Sequence, residues 1–153
     1  MTVKDTHPGD LNGLIRRILL LLNYRLAEKR ITVDTELAEL PPVLMDENMM
    51  GQVLMNILIN ALQAMGDHGM LTIRTERRGE HALLTIEDTG AGIPPEVLPC
   101  IFEPFFTTKS VGDGTGLGLS ISKSIVEQHG GAIDVESQAG RGTSFMIMIP
   151  LTS

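Results

Sequence analysis

The sequence predicts a single α+β domain of about five strands and about three helices, on three observations. Three segments repeat apolar residues at helical spacing. Two pairs of β-like runs are each joined by a short polar or glycine-containing turn, the mark of antiparallel hairpins. The chain of 153 residues, 42% hydrophobic and 20% charged, is long enough to bury one core and contains neither internal repeats nor low-complexity linkers.

After a polar lead-in containing Pro8 and Gly9, Asp10 is placed to cap an amphipathic helix of about five turns. Leu11, Leu14, Ile15, Ile18, Leu22 and Leu26 recur along one face of it. Ile31 to Glu36 reads as a strand, Pro41-Pro42 interrupts regular structure, and Val43 to Met45 forms a short second strand. A helix begins near Asp46 and is apolar through Met50, Val53, Leu54, Ile57, Leu58, Ala61, Leu62 and Met65, a face widened by Met55 and Ile59. Gln52, Asn56, Asn60 and Gln63 fall in the remaining stripe, about 80° wide. An unpaired buried amide costs about 1–3 kcal/mol, so this stripe needs partners.

Met70 to Thr75 and His81 to Asp88 make a hairpin around Arg78-Gly79-Glu80. Pro94 to Thr115 is rich in Pro, Gly, Thr and Phe and reads as a long irregular loop, which in a compact domain is usually functional. A helix from about Gly116 to His129 stops at Gly130, and a hairpin of Ala132 to Ser137 with Thr143 to Ile149 completes the chain.

Composition narrows the function. The formal net charge is −7, and no cations cluster beyond Arg16-Arg17 and Arg77-Arg78, which argues against nucleic acid as a partner. Cys100 is the single cysteine, so no internal disulfide forms, no zinc-ligand spacing exists, and a cytoplasmic setting is expected. The longest strongly apolar stretch, Ile18 to Leu22, falls far short of the ~20 residues that cross a bilayer, so no membrane contact by this segment is expected.

The run GTGLGLSIS, Gly114 to Ser122, sets glycines at alternate positions and then enters a helix. It lacks the lysine that must follow the last glycine of a Walker loop. It also lacks the third glycine of a dinucleotide fingerprint, whose place falls on Leu117 or Leu119. The physics of an anion site remains, because glycines let the backbone approach a ligand and the next helix offers free N–H groups at its positive end.

Five stretches occur in one order and spacing: NILINA (Asn56 to Ala61), DTGAGIP (Asp88 to Pro94), IFEPFFTTK (Ile101 to Lys109), GTGLGLS (Gly114 to Ser120) and GRGTSF (Gly140 to Phe145). Together they resemble the nucleotide-binding boxes of the catalytic, ATP-binding domain of sensor histidine kinases, within the wider superfamily of DNA gyrase and the heat-shock chaperones. The pairing of FFTTK with NALQAM further resembles the nitrogen-regulatory class. The resemblance implies the Bergerat fold, a two-layer α/β sandwich whose mixed, mostly antiparallel sheet packs on helices. It makes residues 1–10 a junction to a dimerisation and phosphoacceptor domain, 11–153 the ATP-binding domain, and about 95–115 a lid.

The resemblance also assigns roles. Asp88 would accept a hydrogen bond from the adenine amino group and so select adenine over guanine; capping of the following turn is its structural alternative. Gly90 and Gly92, with Ile93, would let the backbone lie against the base, and Thr143 would reach the adenine through water while Gly142 makes room. Asn60 would hold Mg²⁺ and Asn56 would order the phosphates or their waters, since neutral amide oxygens suit a hard cation whose other ligands are phosphate and water. Phe102, with Phe105 and Phe106, would anchor the lid, and Lys109 would contact phosphate. Gly114, Thr115, Gly116, Leu117, Gly118 and Leu119 would form the phosphate cradle and the hinge of the lid.

Water-using branches of the superfamily carry a glutamate where this chain has Asn56, an amide that takes no proton at neutral pH. The implied reaction is phosphoryl transfer from ATP to a histidine on a separate domain, with a response regulator downstream. His7, His68, His81 and His129 lack the following acidic residue of such an acceptor, so the acceptor is expected elsewhere, on a parent homodimer, with this segment monomeric. Many members of the family carry a basic residue near the start of the motif helix, where this chain has Met49 and Met50, and another at the place of Gln63, a departure that implies modest ATP affinity. Two other readings are a non-catalytic nucleotide-sensing module and a serine kinase of the anti-sigma type.

Overall fold

The computed structural model describes residues 6–104 and 118–152. In chain order its elements are β1 (His7–Gly9), α1 (Leu11–Leu21), α2 (Asn23–Glu28), β2 (Ile31–Leu37), β3 (Val43–Met45), α3 (Glu47–Met65), β4 (Gly69–Arg78), β5 (His81–Asp88), α4 (Gly118–Gln128), β6 (Ala132–Gln138) and β7 (Gly142–Pro150), with a 3-10 turn at Leu98–Cys100. Five strands form one sheet in the order β2-β4-β5-β7-β6, in which only the β2–β4 pair is parallel.

Side-chain alternation decides where the core lies. Leu71, Ile73 and Thr75 on β4, Ala82, Leu84, Ile86 and Asp88 on β5, and Thr143, Phe145, Ile147 and Ile149 on β7 are buried at every second position. The apolar members pack in one cluster with Leu11, Leu14 and Ile15 of α1, the inner face of α3, and Ile125 and Val126 of α4. This is the two-layer arrangement, helices on one face of a mixed sheet. The buried residues of α3 are the eight that helical spacing selects, Met50 to Met65. Its start is fixed by Asp46, whose Oδ1 accepts the N–H groups of Asn48 at 3.1 Å and Met49 at 3.2 Å. Such a cap contributes about 1 kcal/mol. Near its other end Lys29 Nζ donates to the Leu62 carbonyl at 2.7 Å, a cation at the negative end of the helix.

Three local features depart from the sequence reading. The first helix is two: Leu22, at φ −93° and ψ 0°, leaves the helical region, and its N–H is shared between the carbonyls of Ile18 and Leu19. Leu22 and Leu26 are buried on the two sides of the break, while Leu20, Leu21 and Tyr24 face solvent. The described residues therefore hold four α-helices rather than three. Asp10 occupies the position before α1 but its side chain makes no capping hydrogen bond. The lead-in also contains a strand, β1, which pairs antiparallel with β3. Pro8 and Gly9 hide that strand in the sequence; a proline that donates nothing is tolerated on so short an edge.

A buried polar network ties α1 to the sheet. Thr75 Oγ1 donates to Asn12 Oδ1 at 2.9 Å, Asn12 Nδ2 donates to the Ala38 carbonyl at 2.7 Å, and the Ala38 N–H donates to Thr75 Oγ1 at 3.1 Å. Thr75→Val keeps the shape and removes the hydroxyl, leaving Asn12 Oδ1 without its donor. The expected cost is about 1–3 kcal/mol, read as a fall of roughly 3–10 °C in Tm. An unchanged Tm would show that the network contributes nothing to stability.

Candidate functional site

The alternation that buries Ala82, Leu84 and Ile86 carries Asp88, the last residue of β5, onto the helix-covered face. The same rule places Thr143 there at the start of β7, and the two are register partners. Asp88 is 5% exposed and Thr143 6%. Asp88 Oδ1 accepts the Gly90 N–H at 2.8 Å, so the aspartate does cap the turn that follows it. Burial pushes the Asp88 carboxyl above the usual aspartate value; backbone N–H bonds from Gly90 and Thr143 pull it partly back, and the neighbouring Glu87 charge adds to the rise.

The loop after Asp88 is clamped from two sides. The Ala91 N–H donates to the Ala64 carbonyl of α3 at 3.2 Å, and the Gly140 N–H donates to the Ala91 carbonyl at 2.6 Å. The Ile93 N–H donates to Ser137 Oγ at 2.7 Å, and Ser137 Oγ in turn donates to the Gly142 carbonyl and meets Thr143 Oγ1, both at 2.9 Å. The glycines of this loop answer to the protein's own backbone. A Cβ on Gly90 would sit 2.7 Å from the Ala64 carbonyl, and one on Gly92, at φ +75°, would collide with the Gln138 carbonyl oxygen. The expected approach to a base is thus joined by a packing requirement that is sufficient by itself.

A second grouping lies between α3 and α4. Asn56 Nδ2 donates to the Gly118 carbonyl at 3.3 Å and faces Ser122 Oγ at 3.4 Å, while Ser122 Oγ donates to the Gly118 carbonyl at 2.8 Å. Asn60, one turn further along α3, is half-buried like Asn56, whereas Gln52 and Gln63 at the outer positions of the stripe are exposed. Leu119 is half-buried against the core. Phe102 meets Phe145 edge-on, with centroids 6.4 Å apart and planes at 81°, and Lys123 Nζ lies 5.4 Å from the Phe102 centroid. The irregular loop is therefore anchored at Phe102 on the sheet.

Ala64 follows Asn56 by eight residues, so the two groupings are spaced about 12 Å along the axis of one helix, with Asn60 midway. Lys109, Gly114, Thr115, Gly116 and Leu117, with Phe105, Phe106 and most of the lid, lie outside the described residues. Met50 is fully buried in the core, so it offers nothing to a phosphate. Sequence reasoning passed over Ser122 and Ser137. Ser122 was findable, since it shares spacing with buried Ile125 and Val126; Ser137 carries no such signal.

Among the described residues no group of His, Cys, Asp and Glu could hold a metal ion. The donor set that α3 does present, two amides one turn apart, suits Mg²⁺ that brings phosphate and water as its other ligands. No described helix is long and apolar enough to cross a membrane.

A family model described as "Histidine kinase-, DNA gyrase B-, and HSP90-like ATPase" matches residues 45–153. The chain is 40% identical to sensor histidine kinase ZraS of Escherichia coli (strain K12) over 157 residues, covering 97% of this chain and 33% of ZraS. It spans about a third of the length of the curated relatives it matches. The nucleotide-free catalytic domain of histidine kinase ThkA is similar with a TM-score of 0.87 at 35% identity, covering 96% of each chain. Full-length ShkA, solved in complex with AMPPNP, gives a TM-score of 0.88 at 29% identity, covering 100% of this chain and 33% of ShkA. With a mixed five-stranded sheet under its helices and a buried aspartate closing β5, the chain belongs to this ATPase family, in the branch of histidine kinase catalytic domains.

Proposed function

We propose that this domain binds Mg²⁺-ATP along α3 and donates the γ-phosphoryl group to a histidine on a separate dimerisation and phosphoacceptor domain, from which a response regulator takes it. The observation that carries the reading is Asp88: a carboxylate 5% exposed, fixed through Oδ1 by Gly90 and beside Thr143, at the end of the sheet. Such a group accepts the adenine amino hydrogen and meets a guanine carbonyl with repulsion. The phosphates then fall at the other grouping, near Asn60, Asn56 and the first turn of α4, where helix N–H groups favour an anion. Asn60 would hold Mg²⁺, which supplies charge neutralisation of the transferring phosphoryl; Lys109 and the Gly114–Leu119 run would add the remaining contacts.

Asn56 favours transfer over hydrolysis, because an amide cannot accept the proton of an attacking water. In this reading residues 1–10 join the acceptor domain, 11–153 are the ATP-binding domain, and about 95–115 the lid. The parent is a homodimer through the acceptor domain, with this segment monomeric and cytoplasmic.

Radiolabelled ATP supplied with a purified histidine-bearing hairpin domain tests the proposal. Acid-labile label on histidine is the expected result. Absence of transfer would favour a nucleotide-sensing module, and acid-stable phosphoserine a serine kinase. In calorimetric titrations Asn60→Ala should reduce the Mg²⁺-dependent gain in ATP affinity about tenfold or more. No binding by the parent at millimolar Mg²⁺-ATP would defeat the proposal.

A further inference from the structure

We infer that Ser122 is a positioning residue for the phosphate end of the site, because its hydroxyl and the Gly118 carbonyl together set which way the Asn56 amide faces. The inference rests on the Mg²⁺-ATP reading above. A carbonyl oxygen can only accept, and Ser122 spends its one hydroxyl hydrogen on that carbonyl at 2.8 Å. Both oxygens that face Asn56 therefore present lone pairs. The Asn56 NH₂ group lies toward them, at 3.3 Å from Gly118 and 3.4 Å from Ser122; the flipped amide would set its oxygen against the Gly118 carbonyl and find a donor only if Ser122 gave up its own bond to that carbonyl. Asn56 Oδ1 is consequently turned away from α4, and the side chain is only half-buried.

That orientation matters for a hard cation and its waters, which require an oxygen at this position and not an N–H donor. Ser122 itself is 0% exposed, so it acts through Asn56. A serine inside a helix, bonded to the carbonyl four residues back, gains nothing for the helix over alanine. Its hydroxyl has a purpose in the contact between α3 and α4. The same bonds join the amide to Gly118, the last glycine of GTGLG and the first residue of α4.

The test is calorimetric titration with AMPPNP, once in EDTA and once in saturating Mg²⁺, for the parent, Ser122→Ala, Asn56→Ala and the double variant. Ser122→Ala should cut the Mg²⁺-dependent gain in affinity roughly three- to tenfold, the worth of one hydrogen bond, with affinity in EDTA unchanged. In the Asn56→Ala background the same substitution should have no further effect. Equal losses with and without Mg²⁺, no loss at all, or an undiminished loss in the Asn56→Ala background each overturn the inference. Ser122→Cys, close in volume but a weak acceptor, should follow the alanine variant and guards against a misfolded one. A parent whose affinity ignores Mg²⁺ would overturn the metal reading itself; a Mg²⁺-responsive parent matched by Ser122→Ala overturns only the role of Ser122.

Discussion

Asp88→Ala should weaken ATP binding roughly ten- to hundredfold while leaving a folded domain. The lost interaction is a hydrogen bond from the adenine amino group to a charged, desolvated carboxylate, worth about 1.5–3 kcal/mol. Discrimination between ATP and GTP should collapse with it, because the repulsion between the carboxylate and the guanine carbonyl disappears too. Stability should respond far less than affinity. The native state raises the Asp88 pKa, so it binds the proton more tightly than the unfolded chain does. Stability from this group is therefore fullest in acid, falls as pH rises through the shifted pKa, and stays lowered at neutral pH. Removing the carboxylate relieves that cost but strands the N–H groups of Gly90 and Thr143, and the two effects oppose each other.

Acidification should reproduce part of the variant's phenotype. ATP affinity should begin to fall above the pH at which ordinary aspartates protonate, because Asp88 takes up its proton early, and the Asp88→Ala domain should lack this component. Titrations of both proteins across acidic pH check the claim. If Asp88→Ala binds ATP as tightly as the parent, the adenine assignment is wrong.

Gly142→Ala should damage the fold severely. Gly142 has φ +130°, and a Cβ there would collide with the Asp88 carbonyl oxygen and sit 3.2 Å from Thr89 Cα. Both neighbours are backbone at the end of the β5–β7 ladder, so no rotamer change relieves the contact. The expected loss is about 3–5 kcal/mol, or roughly 6–20 °C in Tm, with ATP binding lost as Asp88 and Thr143 separate. Gly140→Ala supplies the control. Gly140 also has positive φ, +83°, but nothing lies within 4 Å of its missing Cβ. It should lose only the left-handed penalty, about 1–2 kcal/mol. Equal losses in the two variants would show that backbone strain, not collision, decides the cost at Gly142.

What could be read from the sequence was whatever a short period controls. Two-residue alternation from Ala82 fixed the side on which Asp88 emerges, and helical spacing from Met50 to Met65 selected the buried face of α3 and left Asn56 and Asn60 beside it. What escaped depends on partners distant in the chain. The break at Leu22 is invisible in the apolar spacing, which runs through it unchanged: Ile18, Leu22 and Leu26 are all buried. His7–Gly9 becomes a strand only because β3 lies alongside. Asn12 looks like a surface residue until Thr75 and Ala38 close around it. Ser122 and Ser137 resemble fillers of a helix and a strand, and their importance appears once Asn56 and Ile93 are seen against them.

Asn56 and Ala64, at the two ends of the proposed site, belong to one uninterrupted helix, and that sets the site's mechanical tolerance. Loops yield between their contact points, so a small error at one end is absorbed before the other. A continuous helix is stiff along its axis and passes displacement on undiminished. Repacking beneath Leu54 or Ile57, both buried in the core, would therefore shift the proposed base end and the proposed phosphate end in the same motion. On the proposed reading, the core of α3 is part of the gauge against which the nucleotide is measured.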